Sequence, residues 1–149
     1  MVESGVFRML VGSYCHKIDS KGRTVIPARF RGELGSSVVA TIGIDLCIAI
    51  YPIPRWEKLI LKLNELSSFK KKTRDFRRLL LSMAAEQEID AAGRILIPSM
   101  LRDYSGAEQD ITIIGLEDHI EIWDTQRWEE QCRQTLTDFS SLAEDLEDI

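Results

Sequence analysis

A chain of 149 residues, 44% hydrophobic and 29% charged, has the size of one ordinary domain and enough apolar side chain for a core, which excludes a large multi-domain enzyme and a disordered polyelectrolyte. Its formal charge of −5 looks unfavourable for nucleic acid, but that average conceals a division: residues 1–85 hold 15 Lys and Arg against 7 Asp and Glu, a net of +8, whereas residues 86–149 hold 4 against 17, a net of −13. No apolar run approaches the roughly 18 to 20 residues that cross a bilayer, and the first residues lack the basic flank and apolar centre of a secretion signal, so the cytoplasm is the expected location.

In chain order, a short strand leads into the polar turn Asp19-Ser20-Lys21-Gly22-Arg23, where a glycine makes positive φ cheap. A β-branched strand follows and stops at Pro27, which suits the first position of a short helix because its missing N–H costs nothing there. Gly35 stands where a C-terminal cap belongs. Strands are expected over 38–42 and 47–51, then a helix whose apolar stripe is Trp56, Leu59, Ile60, Leu63 and Leu66. The stretch 69–83 reads as another helix, with Phe69, Thr73, Phe76, Leu80 and Met83 as its packing stripe beside a basic face of Lys70, Lys71, Lys72, Arg74, Arg77 and Arg78.

The second half then repeats the first. Ile18 to Pro27 aligns with Ile89 to Pro98 at an offset of 71, and after one inserted residue Gly43 matches Gly115, Tyr51 matches Trp123 and Arg55-Trp56-Glu57 matches Arg127-Trp128-Glu129. Pro98, Gly106, strands over 111–114 and 119–123, and a closing helix with Trp128, Cys132, Thr135, Phe139, Leu142 and Leu146 follow in the same order, with Asp124 or Thr125 as its cap. Four short strands cannot cover their own apolar faces, so the two copies are expected to interleave into one α+β, β-rich, pseudo-two-fold body with packing helices outside.

The chemistry lies in the repeated D-x-x-x-R. Asp19 and Asp90 can accept backbone N–H groups at the start of each turn, Gly22 and Gly93 allow the bend, and Arg23 and Arg94 offer planar forks. One reading makes these residues only the pins of a hairpin. The other uses the cations: Lys21 and Arg23, with Lys17, Arg29 and Arg31 nearby, can meet phosphates and base edges, whereas the second turn has Ala92 in place of Lys21 and keeps Arg94 alone. Enzyme motifs are missing, and Cys15-His16 on a strand would point to opposite faces. Three cysteines without C-x-x-C spacing and two histidines suggest no disulfide framework, no metal and no cofactor.

These residues, from Ile18 to Arg23 with Ile26-Pro27, through Tyr51-Pro52 and Trp56-Glu57, to Asp90 to Arg94, Ile97-Pro98 and Glu121-Ile122-Trp123 with Trp128, closely resemble the MraZ proteins of bacteria, over roughly residues 9–139. The resemblance implies the AbrB-like swapped-hairpin class, DNA-binding regulators that here would form a closed ring on repeated sites upstream of the cell-division and cell-wall gene cluster. It matches Lys21 and Arg23 to the family's turn on double-stranded DNA and Arg94 to its second copy; Lys17 joins the expected DNA contacts by its nearness to the turn, and Asp19, Gly22, Asp90 and Gly93 are expected to hold the turn structure. The expected organisation is an extension over 1–8, a repeat over 9–57, connecting helices over 58–84, a second repeat over 85–129, and a helix with acidic tail over 130–149. The function expected is a cytoplasmic, nucleoid-associated transcriptional regulator, a repressor acting as a homo-oligomer, with no enzymatic activity. The alternative is a ring-forming interaction protein whose D-x-x-x-R turns only hold the fold.

Overall fold

The structure, a computed structural model, describes residues 9–146, so the expected extension over 1–8 and the last residues of the acidic tail lie outside the described part. In chain order it contains β1 (Leu10–Lys17), β2 (Arg23–Val25), α1 (Ala28–Leu34), β3 (Ser37–Ile42), β4 (Ile48–Pro52), α2 (Ile53–Asn64), α3 (Lys71–Ser82), β5 (Ala85–Glu88), β6 (Arg94–Leu96), α4 (Ser99–Ser105), β7 (Asp110–Glu117), β8 (Ile120–Asp124) and α5 (Thr125–Asp145).

The strands interleave as the repeat demands. Six form an antiparallel sheet in the order β1-β7-β8-β4-β3-β5, and β2 pairs with β6 in a separate two-stranded ribbon. Exchanging the halves turns the sheet order into its own reverse and maps the ribbon onto itself, which is the pseudo-two-fold. Each repeat lends its first strand to the other: β1 runs along β7, and β5 runs along β3.

Alternation along the strands divides the core into two layers. Ile111, Ile113, Val38, Ala40, Ile48, Ile50, Ile120 and Ile122 point to one face, where they meet Phe30 and Leu34 of α1, Leu101 of α4, and Ile26, Ile95 and Ile97 around the ribbon. Residues of opposite parity support the outer helices. Thr41 donates to the Leu80 carbonyl of α3 at 2.8 Å, and Ile114, Cys47 and Trp123 form a smaller cluster with Trp128 of α5.

Local stops match the sequence with one shift. Pro27 and Pro98 are N-caps rather than first helical residues; their carbonyls accept Phe30 N–H at 2.9 Å and Leu101 N–H at 3.0 Å, the role an N-cap carbonyl plays. Gly106 takes a left-handed φ of 71° at the end of α4, and Asp124 caps α5 by accepting Arg127 N–H at 3.1 Å.

The packing stripe expected for α3 holds only in part. Leu80 is buried and Thr73 and Met83 are half-buried, but Phe76 is exposed and Phe69, which precedes the helix, is 93% exposed. Only one side of α3 rests on β3, so the aromatic edge of the stripe overhangs the sheet. The basic residues of the stretch are exposed apart from the half-buried Arg74 and Arg77.

Candidate nucleic-acid interface

Both D-x-x-x-R turns are built alike. In the first, the Asp19 Oδ1 accepts the backbone N–H groups of Lys21 and Arg23 at 2.9 Å each, while Oδ2 accepts Arg23 Nε–H at 3.1 Å. In the second, Asp90 Oδ1 accepts Ala92 and Arg94 N–H at 3.0 and 2.8 Å, and Oδ2 accepts Arg94 Nε–H at 2.9 Å. The backbone N–H of Arg23 is the main reason that the Asp19 carboxyl lies below the ordinary aspartate pKa, and Arg94 N–H does the same for Asp90. A lowered carboxylate pKa means that this help to the folded state is complete above the ordinary aspartate value and is lost as pH falls through the lowered one.

The anchoring settles how each arginine is divided. Nε is occupied by the turn, so the pin and the fork are different atoms of one side chain; the two Nη groups of Arg23 and of Arg94 have no protein hydrogen-bond partner among the described residues. The ribbon register then brings the forks together. Arg23 lies opposite Leu96 and Val25 opposite Arg94, so these four share one face, while Thr24 and Ile95 face the core, 2% and 1% exposed. Arg23 and Arg94 are diagonal neighbours, about 7 to 8 Å apart. Lys21 stands exposed at the tip of its turn. Lys17 is less available: its Nζ lies 3.2 Å from Asp110 on the neighbouring strand, although its backbone adjoins the ribbon through Thr24 Oγ1.

Two further arginines support the turns, a role the sequence reading did not give them, although it counted Arg31 among the cations near the first turn. Arg31 of α1 donates from Nε to the Ile26 carbonyl and lays its guanidinium against Gly93; Arg102 of α4 donates to the Ile97 carbonyl and lies against Gly22. Each repeat therefore sends an arginine under the other repeat's turn. The signal was present, since the two arginines are 71 residues apart and each is the fourth residue after its proline, but only the fold reveals the crossing. Backbone bonds cross as well: Ile26 N–H donates to Gly93 O and Ile97 N–H to Gly22 O, both at 2.8 Å.

Gly22 and Gly93 have φ of 83° and 82°, so an alanine at either costs about 1 to 2 kcal/mol in backbone strain. At Gly93 the new Cβ would also overlap the Arg31 guanidinium and force it off the Ile26 carbonyl, whereas at Gly22 the nearest Arg102 atom is 3.2 Å away. Gly93→Ala is therefore expected to lower the thermal midpoint, followed by circular dichroism, more than Gly22→Ala. An equal drop would assign the whole cost to φ.

Other chemistry is sparse. No group of three or more His, Cys, Asp or Glu able to hold a metal occurs among the described residues, and burial pushes the Cys47 thiol up to about 12, which keeps it protonated. No helix among the described residues is long and apolar enough to cross a membrane.

The family model described as "MraZ protein, putative antitoxin-like" matches residues 9–79 and again residues 80–148. The chain belongs to the MraZ family. Each repeat of the fold thus falls within its own match to the MraZ pattern. Proteins named Transcriptional regulator MraZ are similar along nearly the whole chain: that of Thermoanaerobacter pseudethanolicus is 45% identical, that of Moorella thermoacetica 43% and that of Natranaerobius thermophilus 42%, each over 95% of this chain and 99% of the relative.

Proposed function

We propose that this MraZ-family protein is a sequence-specific, DNA-binding transcriptional regulator that acts as a ring-shaped homo-oligomer in the cytoplasm, on the nucleoid. The observation that carries the reading is the pair of anchored forks, Arg23 and Arg94, held on one exposed face of a two-stranded ribbon with Lys21 at its edge. A ribbon of this kind fits the major groove, and a fixed guanidinium fork matches the two acceptors of a guanine edge. The names of its relatives agree with regulation of transcription, and the family resemblance points to repeats upstream of the cell-division and cell-wall gene cluster, with repression as the outcome. Nothing in this mechanism asks for catalysis.

A chain with net charge −5 is repelled by DNA as a whole, so a few local cations must be repeated across subunits. Joining weak sites in one assembly raises binding by ~10² to 10⁴ without new contacts, provided their spacing matches the duplex. Removing repeats from the target one at a time should therefore lower affinity steeply, and inserting about 5 bp between repeats should do the same by turning the next site to the opposite side. The slope of log K against log[salt], about −0.9 for each phosphate engaged, should shrink as repeats are removed. A single repeat that binds as tightly as the array, with the same slope, would return the turns to a purely structural role and favour the interaction-protein reading.

A further inference from the structure

The outward face of the ribbon is not purely cationic. Four side chains lie on it, Arg23 and Val25 from β2 and Arg94 and Leu96 from β6, while Thr24 and Ile95 between them turn inward and are buried. Alternation along a strand accounts for the inner pair, since Ile95 belongs to the main apolar cluster. It does not account for Leu96, which is 45% exposed and belongs to neither apolar cluster. A face that met only water or phosphate would gain nothing from an aliphatic side chain there. Yet both repeats place one two residues after the arginine, because Val25 is the counterpart of Leu96 at the offset of 71.

The register fixes what stands beside Leu96. It is the direct cross-strand partner of Arg23, which puts their Cβ atoms about 4.5 to 5.5 Å apart, little more than the ~3.4 Å between successive bases of a strand. Val25 stands in the same relation to Arg94, but it is shorter and half-buried. One fork therefore has a projecting aliphatic neighbour and the other a recessed one. In the major groove the acceptors that suit a fork are those of guanine, and the apolar group that marks one base among the four is the C5 methyl of thymine. We propose that Leu96 reads a thymine methyl at the base step next to the guanine held by Arg23. The inference rests on the DNA reading proposed above and adds a second base to it. The site is built by both repeats, the fork from the first and the methyl contact from the second, so neither turn carries the recognition alone.

The test removes the methyl from the DNA as well as its contact from the protein. A duplex selected by the full chain from a random-sequence pool is remade with deoxyuridine for thymine, one position at a time, and separately with 7-deazaguanine for guanine, which deletes the N7 acceptor. The parent should lose about four-fold in affinity, the worth of one buried methyl, at a thymine adjacent to a guanine that 7-deazaguanine also marks. Leu96→Ala should bind the thymine and deoxyuridine duplexes alike, and Leu96→Met, which keeps the aliphatic reach, should bring the difference back. Because Leu96 is exposed, the thermal midpoint of both variants should stay near that of the parent. A parent indifferent to deoxyuridine, a selected duplex with no thymine beside the marked guanine, or a Leu96→Ala protein that still loses affinity on deoxyuridine overturns the proposal, while losses on 7-deazaguanine leave the reading of the forks standing. A protein that enriches no sequence from the pool overturns both.

Discussion

Arg23→Ala should sharply reduce discrimination between the protein's target and random DNA. Each base-reading fork contributes ~1 to 3 kcal/mol of discrimination, and the substitution enters every subunit, so two engaged copies lose ~2 to 6 kcal/mol, roughly 30-fold to 10⁴-fold in affinity. Fold stability should change little, because the Asp19–Arg23 pair is solvent-exposed and such pairs contribute little. Arg23→Lys is the sharper version. It keeps the charge but loses the Nε–H that grips Asp19 and the planar fork, so binding to random duplex should survive while preference for the target falls. Lys21→Ala should instead weaken both duplexes alike, as expected of a flexible ammonium on phosphate. Anisotropy titrations on target and random duplexes measure all three. Equal losses at Arg23 on both duplexes would make it a phosphate contact, and a larger loss for Arg94→Ala than for Arg23→Ala would move the principal reader to the second turn.

Phe30→Ala should unfold the ribbon's support at a cost of about 3 to 5 kcal/mol. The ring is fully buried, meets Tyr14 edge-on at 5.3 Å between centroids with planes 89° apart, and fills the space beneath the sheet at a point where Leu101 stands in the other repeat. Its removal leaves a cavity lined by residues of both repeats, so the loss is felt on both sides of the pseudo-two-fold. Phe30→Leu, which copies the volume used at the equivalent position, should cost much less. Urea unfolding followed by fluorescence and far-UV dichroism gives the difference. A change under 1 kcal/mol for Phe30→Ala would mean that the inner layer closes over the gap.

Much of this architecture was legible because the sequence repeats. The match of Ile18 to Pro27 with Ile89 to Pro98 foretells a body of equivalent halves, and short strands with uncovered faces foretell their exchange. The turns were legible in outline, since Asp accepting backbone N–H groups and Gly taking a positive φ each have one natural job there, whereas the arginine has two and the sequence left both open. What the sequence could not express was register. Only the pairing of Arg23 with Leu96 and of Arg94 with Val25 puts two forks, read from separate turns, on a single face. Lys17 looked as free as Lys21 until the β1–β7 ladder set Asp110 opposite it. Phe69 and Phe76 looked like core because 3-and-4 spacing marks a stripe, but spacing does not say whether anything lies above it.

The exchange of first strands also sets when the molecule can fold. During synthesis Leu10 must wait for Glu117, its ladder partner at the far end of the chain, a delay of roughly 5 to 20 s at the usual rate of elongation. Through that interval the first repeat holds β1 without its neighbour and β3 with one edge bare, the condition in which strands recruit whatever backbone is at hand. A neighbouring nascent copy offers the same sequence and, through the internal repeat, a near equivalent of the missing partner. Slower elongation over this interval is expected to leave more chain caught in exchanged pairs and less closed on itself.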